Sequence, residues 1–405
     1  MNIQFLFHLL TFFAIPLGLA SQLLELNFLM QSAKVISELF LRFFKLISVP
    51  IIFFSLSCSI SKMQNLGQMK RIGGKIAFYT FGTTLIAASI SLSLYLLIQP
   101  VTMQESQAFN IVQSEKSYWY FLLQCIPDNF LQAFLDNNLI GVAFLASIVG
   151  LCSLQLESPD RKILQDLFSA IFHLILKVTE YLLFMMPFGV WAFSYLFLDE
   201  IRTENQNIQK LGSYCLCVVG SNLLQGAIVL PLLLRTKGIS VFKLFKAMLP
   251  ALLTGFFSKS SNAALPLAIQ CGHQRAGLRE KIVQVSFPIC SVINMNACAS
   301  FILSTVLFVS ASHGIHFSSL ELTFWVFMAT FAAIGNAGVP MGCYFLSSSF
   351  LVGMGVPLNL LGLILPVYTL FDMLETAINL WSDATITAIV DKETKDEPLN
   401  FTEAS

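Results

Sequence analysis

The chain has 405 residues, of which 56% are hydrophobic and 11% charged, and its 23 basic and 23 acidic side chains cancel to a net charge of zero. Soluble domains carry roughly 45–50% apolar and about 25% charged residues, so lipid rather than water is the solvent for most of this chain. A neutral balance without blocks of like charge excludes a nucleic acid or an acidic polymer as partner.

Apolar runs of about 20 residues, the length that crosses a bilayer as a helix, occur in chain order near 4–24, 39–60, 76–98, 137–155, 164–196, 212–234, 282–310 and 359–390. The first lacks a basic leader and a small-residue cleavage site, so it reads as a retained membrane helix and not as a removed signal peptide. Two further runs, 243–271 and 321–352, are interrupted near their middles by SKSSNAALP (Ser258–Pro266) and GNAGVPMGC (Gly335–Cys343). Backbone leaves helical geometry at membrane depth only where protein or a water-filled cavity satisfies its polar groups. Each run is therefore a re-entrant hairpin or a Pro-kinked span, and two of them flanking one polar span favour hairpins that meet at the midplane. The sequence predicts an all-α multi-spanning membrane protein with about eight transmembrane helices and two re-entrant helical hairpins.

Sidedness follows from the loops. Lys62, Lys70, Arg71, Lys75, Arg161, Lys162, Arg235, Lys237, Lys243, Lys246, Arg275, Arg279, Lys281, Lys392 and Lys395 fall on one side if each hairpin enters and leaves from the same side, against Lys34, Lys116, Arg202 and Lys210 on the other. The positive-inside rule then puts both termini in the cytoplasm, with the first hairpin entering from inside and the second from outside. The chain beyond Asp391 is a short polar end.

The last span reads LPVYTLFDMLETAINLWSDATITAIV, in which Thr376, Asn379 and Asp383 follow Asp372 at offsets of four, seven and eleven. At 3.6 residues per turn these four form one stripe, with Glu375 beside it. A carboxylate near the centre of a spanning helix costs about 2.5–3.5 kcal/mol on insertion scales, so three on or beside one face require a compensating role. The functional reading is a pathway whose oxygens replace the hydration shell of a monovalent cation and hold a substrate's ammonium group. The alternative is neutralisation by Lys259 and a solvated helix end near Asp383. The seventh span carries a second polar island, PICSVINMNACAS (Pro288–Ser300), where Asn294 and Asn296 have several hydrogen-bonding sites to satisfy and a proline with small neighbours lets the helix unwind.

Nine cysteines lie scattered without metal-ligand spacing and read as small buried hydrophobes, and the five histidines are dispersed. No nucleotide-binding loop and no hydrolase or metalloprotease motif occurs, so coupling to an ion gradient is the remaining drive for transport. A channel using the same polar core would show current without stoichiometric uptake, and a membrane enzyme would lack a nucleophile.

These features together resemble the dicarboxylate/amino acid:cation symporters, the glutamate transporter family, over essentially the whole chain. SSNAALP matches its first hairpin tip, INMNACA its NMDGT motif, GNAGVP its second tip and DMLETAINLWSD its substrate-binding eighth helix, while Ile126–Gly150 and Met186–Phe193 look like its fourth and fifth spans. The resemblance implies an elevator fold: scaffold helices in 1–74 and 99–210, a transport domain of 75–98 and 211–391, and a cytoplasmic tail, 392–405. It further implies a homotrimer, with the second hairpin as extracellular gate.

Carried over residue by residue, the family pattern has Asp372 bind the substrate's amino group and Asn379 its α-carboxylate, with Ser260, Ser261 and Thr376 also at the substrate. Cys290, Asn294, Asn379 and Asp383 would form one sodium site, and Val292, Ala333, Ile334 and Asn336 another. Asn296 stands where the motif has an acidic residue, which removes a charge from a further sodium site near Thr83 and Thr84. Lys259 stands where some relatives have arginine and loses the planar fork. Glu375 occupies the place of the arginine that pairs with an acidic substrate. A carboxylate there repels a second one by about 1 kcal/mol or more at 4 Å, and the pattern from Glu375 to Asp383 looks like the sodium/serine-threonine branch. The expectation is a sodium- or proton-coupled symporter for a small neutral amino acid in a bacterial inner membrane. The alternative is a dicarboxylate or acidic amino acid symporter in which Lys259 supplies the missing charge.

Overall fold

The computed structural model describes residues 3–24, 26–61, 66–101, 127–135, 139–203, 206–336 and 341–395. Lys62, Lys116, the centre of the second interrupted tip (337–340) and the tail from 396 lie outside the described residues. All regular structure among the described residues is helical.

Helix α1 (Ile3–Gln22), α2 (Asn27–Ser61), α3 (Leu66–Ile98), α4 (Phe130–Leu135) and α5 (Leu139–Ser153) follow the first four expected spans. At 1.5 Å per residue the 35 residues of α2 extend about 52 Å, well past a ~30 Å hydrocarbon core, so the helix tilts or projects. The expected single span 164–196 is instead two helices, α6 (Ser158–Phe184) and α7 (Met186–Thr203). The break falls at Met185 because Pro187 cannot donate a helical N–H, and the chain restarts with Phe188 N–H on the Met185 carbonyl at 3.0 Å.

Helix α8 (Gln206–Leu224) runs through a π-wound turn, Gln225–Val229, into α9 (Leu230–Thr236). The first hairpin is α10 (Val241–Ser258) and α11 (Ser261–Gln270), whose arms pack on each other. The seventh span is α12 (Glu280–Ile293) and α13 (Asn296–Ser312); the second hairpin is α14 (Ser319–Gly335) and α15 (Gly342–Gly353), both arms packed on α13; α16 (Asn359–Glu393) closes the fold. Among the described residues, the segments 72–98, 209–236, 241–258, 280–312 and 359–393 are long and apolar enough to cross a membrane.

Helix α13 is the centre of the molecule: every residue from Asn296 to Ser310 is buried. A helix buried on all faces needs neighbours all round, and α3, α8, α14, α15 and α16 supply them. Outward faces carry large apolar side chains such as Phe28, Phe78, Leu97, Leu216 and Phe242, each more than half exposed. Such a surface suits lipid and would be a liability in water. A second group, α1, α2, α5, α6 and α7, packs largely within itself.

The end of α16 is fixed by charge. Glu393 accepts from Lys75 at 2.8 Å, Lys237 at 2.6 Å and the Tyr79 hydroxyl at 2.5 Å. Arg279 donates to the Asp391 carboxylate at 2.8 Å and to the Thr394 hydroxyl at 2.7 Å, and Lys392 donates to the Lys237 carbonyl at 2.7 Å. The fold thus gathers at one end four basic residues that the loop pattern assigned to one side. Hydrogen bonding to Glu393, and secondarily to Tyr79, raises the Lys237 pKa.

Candidate functional site

Between α12 and α13, Asn294 and Met295 leave helical geometry (φ −99°, ψ 75° and φ −111°, ψ 60°). Pro288 deprives α12 of one ladder bond, and the Asn294 N–H closes that helix on the Cys290 carbonyl at 2.8 Å. The unwinding expected from the polar island is therefore present. It lies against the buried part of α16, where side chains satisfy the interruption.

Asn294 Nδ2 donates to Asp383 Oδ1 at 2.8 Å, and Asn294 Oδ1 accepts from Ser382 Oγ at 3.3 Å. Ser382 Oγ accepts from Asn296 Nδ2 at 2.6 Å, while Asn296 Oδ1 accepts from Thr83 at 3.2 Å and Thr84 at 2.7 Å. A continuous polar chain thus runs from α3 across the helix break to Asp383. All six of these side chains are buried. Asn296 is satisfied on both ends of its amide without a cation; an aspartate there could not donate to Ser382.

The Ala297 N–H at the start of α13 donates to Asn379 Oδ1 at 2.9 Å. Asn379 Nδ2 faces the sulfurs of Met295 at 3.5 Å and Cys298 at 3.4 Å. Asp383 lies eleven residues beyond Asp372, about 16 Å along the helix, so the α16 stripe serves two separate places.

Both hairpin turns place a non-glycine residue in the left-handed region, Lys259 at φ 53° and Met341 at φ 57°. Such backbone costs about 1–3 kcal/mol and concentrates at functional positions. Ser260 caps α11, its hydroxyl accepting from the Ala263 N–H at 3.2 Å. Asn336 ends α14, its N–H on the Ala333 carbonyl at 3.0 Å, and its Nδ2 donates to Cys298 Sγ and Cys343 Sγ at 3.4 Å each. A Cβ on Gly342 would collide with the Asn336 side-chain amide, so any larger residue there displaces that amide.

Between these elements lies a cavity of about 20 Å³, lined by Lys259 and Ser261 from the first hairpin, Asn336, Gly342 and Cys343 from the second, Met295 and Cys298 from α13, and Asp372, Glu375, Thr376 and Asn379 from α16. That is room for water alone. Glu375 is 1% exposed; its Oε2 faces Cys298 Sγ at 4.0 Å, and its Oε1 has no hydrogen-bond partner among the described residues. Thr376 turns its hydroxyl back to the Asp372 carbonyl at 2.8 Å. A larger cleft of about 580 Å³ between α2 and the base of α15 contains none of these side chains.

Of the expected substrate residues, Ser261, Asp372, Glu375, Thr376 and Asn379 share this cavity, whereas Ser260 lies beside it as a helix cap. Of the expected cation ligands, Cys290, Asn294 and Asp383 gather at the helix break, with Asn379 on the adjoining turn. Val292, on α12, and Ala333, Ile334 and Asn336, at the end of α14, belong to two helices that pack together. Sequence reading missed Ser382, which joins the two asparagines, and the sulfurs of Met295, Cys298 and Cys343. Ser382 adjoins Asp383 in the polar stripe and could have been found there; the sulfurs carry no such signal.

A family model described as the sodium:dicarboxylate symporter family matches residues 7–393. This chain belongs to that family. Its members are transporters, and the lipid-suited helices and the polar cavity between them agree with that. A Caenorhabditis elegans relative named for sodium-dependent excitatory amino acid transport is 25% identical over 64% of this chain and 52% of its own, so the match spans about half the length of that relative. The mouse neutral amino acid transporter B(0) is 24% identical over 86% of this chain and 72% of its own. The proton/sodium-glutamate symport protein of Bacillus subtilis is 24% identical over 88% of this chain and 85% of its own. The sodium:dicarboxylate symporter relatives thus bear names for both acidic and neutral substrates, and for both sodium and protons.

Proposed function

We propose that the protein is a secondary symporter that couples sodium influx to uptake of a small neutral amino acid, serine or threonine. The observation that carries this reading is Glu375, a buried carboxylate in the same cavity as Asp372, with one oxygen lacking a hydrogen-bond partner among the described residues. A substrate hydroxyl donating to that oxygen relieves a buried acceptor whose desolvation costs about 1–3 kcal/mol. An acidic side chain brought there adds a like-charge repulsion of about 4 kcal/mol at 4 Å and an effective dielectric of 20. Asp372 would take the amino group and Asn379 the carboxylate; Asn294 and Asp383, with the Cys290 carbonyl, would hold one sodium. Val292, Ala333, Ile334 and Asn336 would hold a second.

The reading extends to an elevator in which 75–98 and 211–391 move against a scaffold of 1–74 and 99–210. The separate packing of α1, α2, α5, α6 and α7 supports that division. A homotrimer in a bacterial inner membrane, with cytoplasmic termini, completes it. A second reading, an acidic amino acid or dicarboxylate as substrate, is favoured by Lys259, which lines the same cavity.

The deciding experiment is uptake of labelled serine, threonine, aspartate and glutamate into proteoliposomes, with inward sodium and proton gradients imposed separately. The proposal expects sodium-driven accumulation of serine and threonine. Equal or stronger uptake of the acidic pair overturns the substrate, and accumulation driven by protons alone overturns the ion.

A further inference from the structure

Cys298, Cys343 and Glu375, from α13, α15 and α16, bring two sulfurs and a carboxylate oxygen within 4.8 Å of one another, all buried. Hard cations such as sodium prefer oxygen, whereas thiolates select zinc and its softer relatives, so this cluster is chemically distinct from the oxygen site at Asn294 and Asp383. A tetrahedral zinc ion has bonds of about 2.3 Å to sulfur and 2.0–2.2 Å to oxygen, which sets its ligand atoms roughly 3.5–3.8 Å apart. The cluster therefore needs to contract by at most about 1.3 Å. The second, independent observation is Glu375 Oε1, buried and without a partner in the described residues, on the same carboxylate. Asn336 adds outer support, its amide donating to both sulfurs, and the cavity has space for a water to complete four-coordination.

We infer that Cys298, Cys343 and Glu375 form a binding site for one thiophilic divalent cation, zinc in the first instance, which ties the second hairpin to α13 and α16. On binding, two S–H bonds break, two metal–sulfur bonds form and two protons leave to the solvent, so affinity rises with pH. Once bound, the ion cross-links the second hairpin to α13 and α16, which blocks any transport step that separates these elements. Zinc is therefore an inhibitor of uptake. The inhibitory part rests on the proposed symport reading; the binding itself does not.

The test is calorimetric titration of the full-length purified protein in lipid nanodiscs with zinc alone, without amino acid or sodium. The expected result is one zinc per chain. Cys298→Ser and Cys343→Ser should each weaken it more than about 100-fold, beyond the loss of an outer-shell partner, and Glu375→Gln should weaken it at least about tenfold. Cys152→Ser, an exposed thiol elsewhere, should leave it unchanged. Should a serine variant misfold, cadmium titration of the unaltered protein gives a thiolate charge-transfer band that saturates at one equivalent with the intensity of two thiolates. No zinc binding, or binding of full affinity in the folded Cys298→Ser/Cys343→Ser double variant, overturns the site. Zinc bound by a protein that transports no amino acid refutes the symport reading alone; absent zinc binding with intact sodium-driven uptake refutes this site alone.

Discussion

The Asn294 amide donates to the Asp383 carboxylate at 2.8 Å across the break between α12 and α13. An unwound turn and a buried acid, each costly in a membrane, thereby support each other. Asp383→Asn removes the charge that a cation would neutralise while keeping the shape. Sodium-dependent uptake in proteoliposomes should fall more than about tenfold at fixed sodium, a loss of about 1.4 kcal/mol or more. Unchanged sodium dependence would place the cation elsewhere.

Asn296 donates to Ser382 and accepts from Thr83 and Thr84. Asn296→Asp trades the donor for a second acceptor and leaves a buried carboxylate beside two hydroxyls. The variant should require an additional cation, seen as a steeper sodium dependence of uptake and a stronger sodium-induced rise in Tm. A slope equal to that of the unaltered protein would mean that the aspartate does not recreate a site.

Glu375 should set the preference for hydroxyl side chains. Glu375→Gln replaces a charged acceptor by a neutral one, and hydrogen bonds to charged groups exceed neutral ones by about 1 kcal/mol. The ratio of serine to alanine uptake, each as kcat/KM, should fall about fivefold to tenfold. A ratio that does not move would remove Glu375 from the selectivity pocket.

The cluster at the end of α16 makes a pH prediction. Lys237 has a raised pKa because the Glu393 carboxylate holds its ammonium form. That contribution to stability is fully present below the ordinary lysine value of about 10.4 and is lost as pH rises through the higher folded value. Tm should therefore drop more steeply above about pH 10 in the unaltered protein than in Lys237→Met. Parallel curves would mean that the pair contributes no net stability.

Much of this arrangement was legible in the chain. Span lengths followed from apolar runs, and the break at Asn294 followed from Pro288 and the amides around it, because a helix that loses a ladder bond needs side chains to replace it. The stripe from Asp372 to Asp383 was visible because helical periodicity is local. The break at Met185 was passed over although Pro187 announces it, since the apolar run continues unbroken across it. The pairing of Cys298 with Cys343 was out of reach: the two lie on different helices, and a thiol reads as a small apolar side chain until its neighbours are known. Ser382, by contrast, stood beside Asp383 in the polar stripe and could have been picked out, although its two asparagine partners come from another element.

Helix α13 has neither a lipid face nor a water face. An ordinary amphipathic helix accepts substitutions every third or fourth position on its outer side, so the tolerance it shows along the chain rises and falls with the helical period. From Asn296 to Ser310 that rhythm has nothing to arise from. Saturating mutagenesis should find there a flat stretch of intolerance, the signature of a helix used as the axle of the domain.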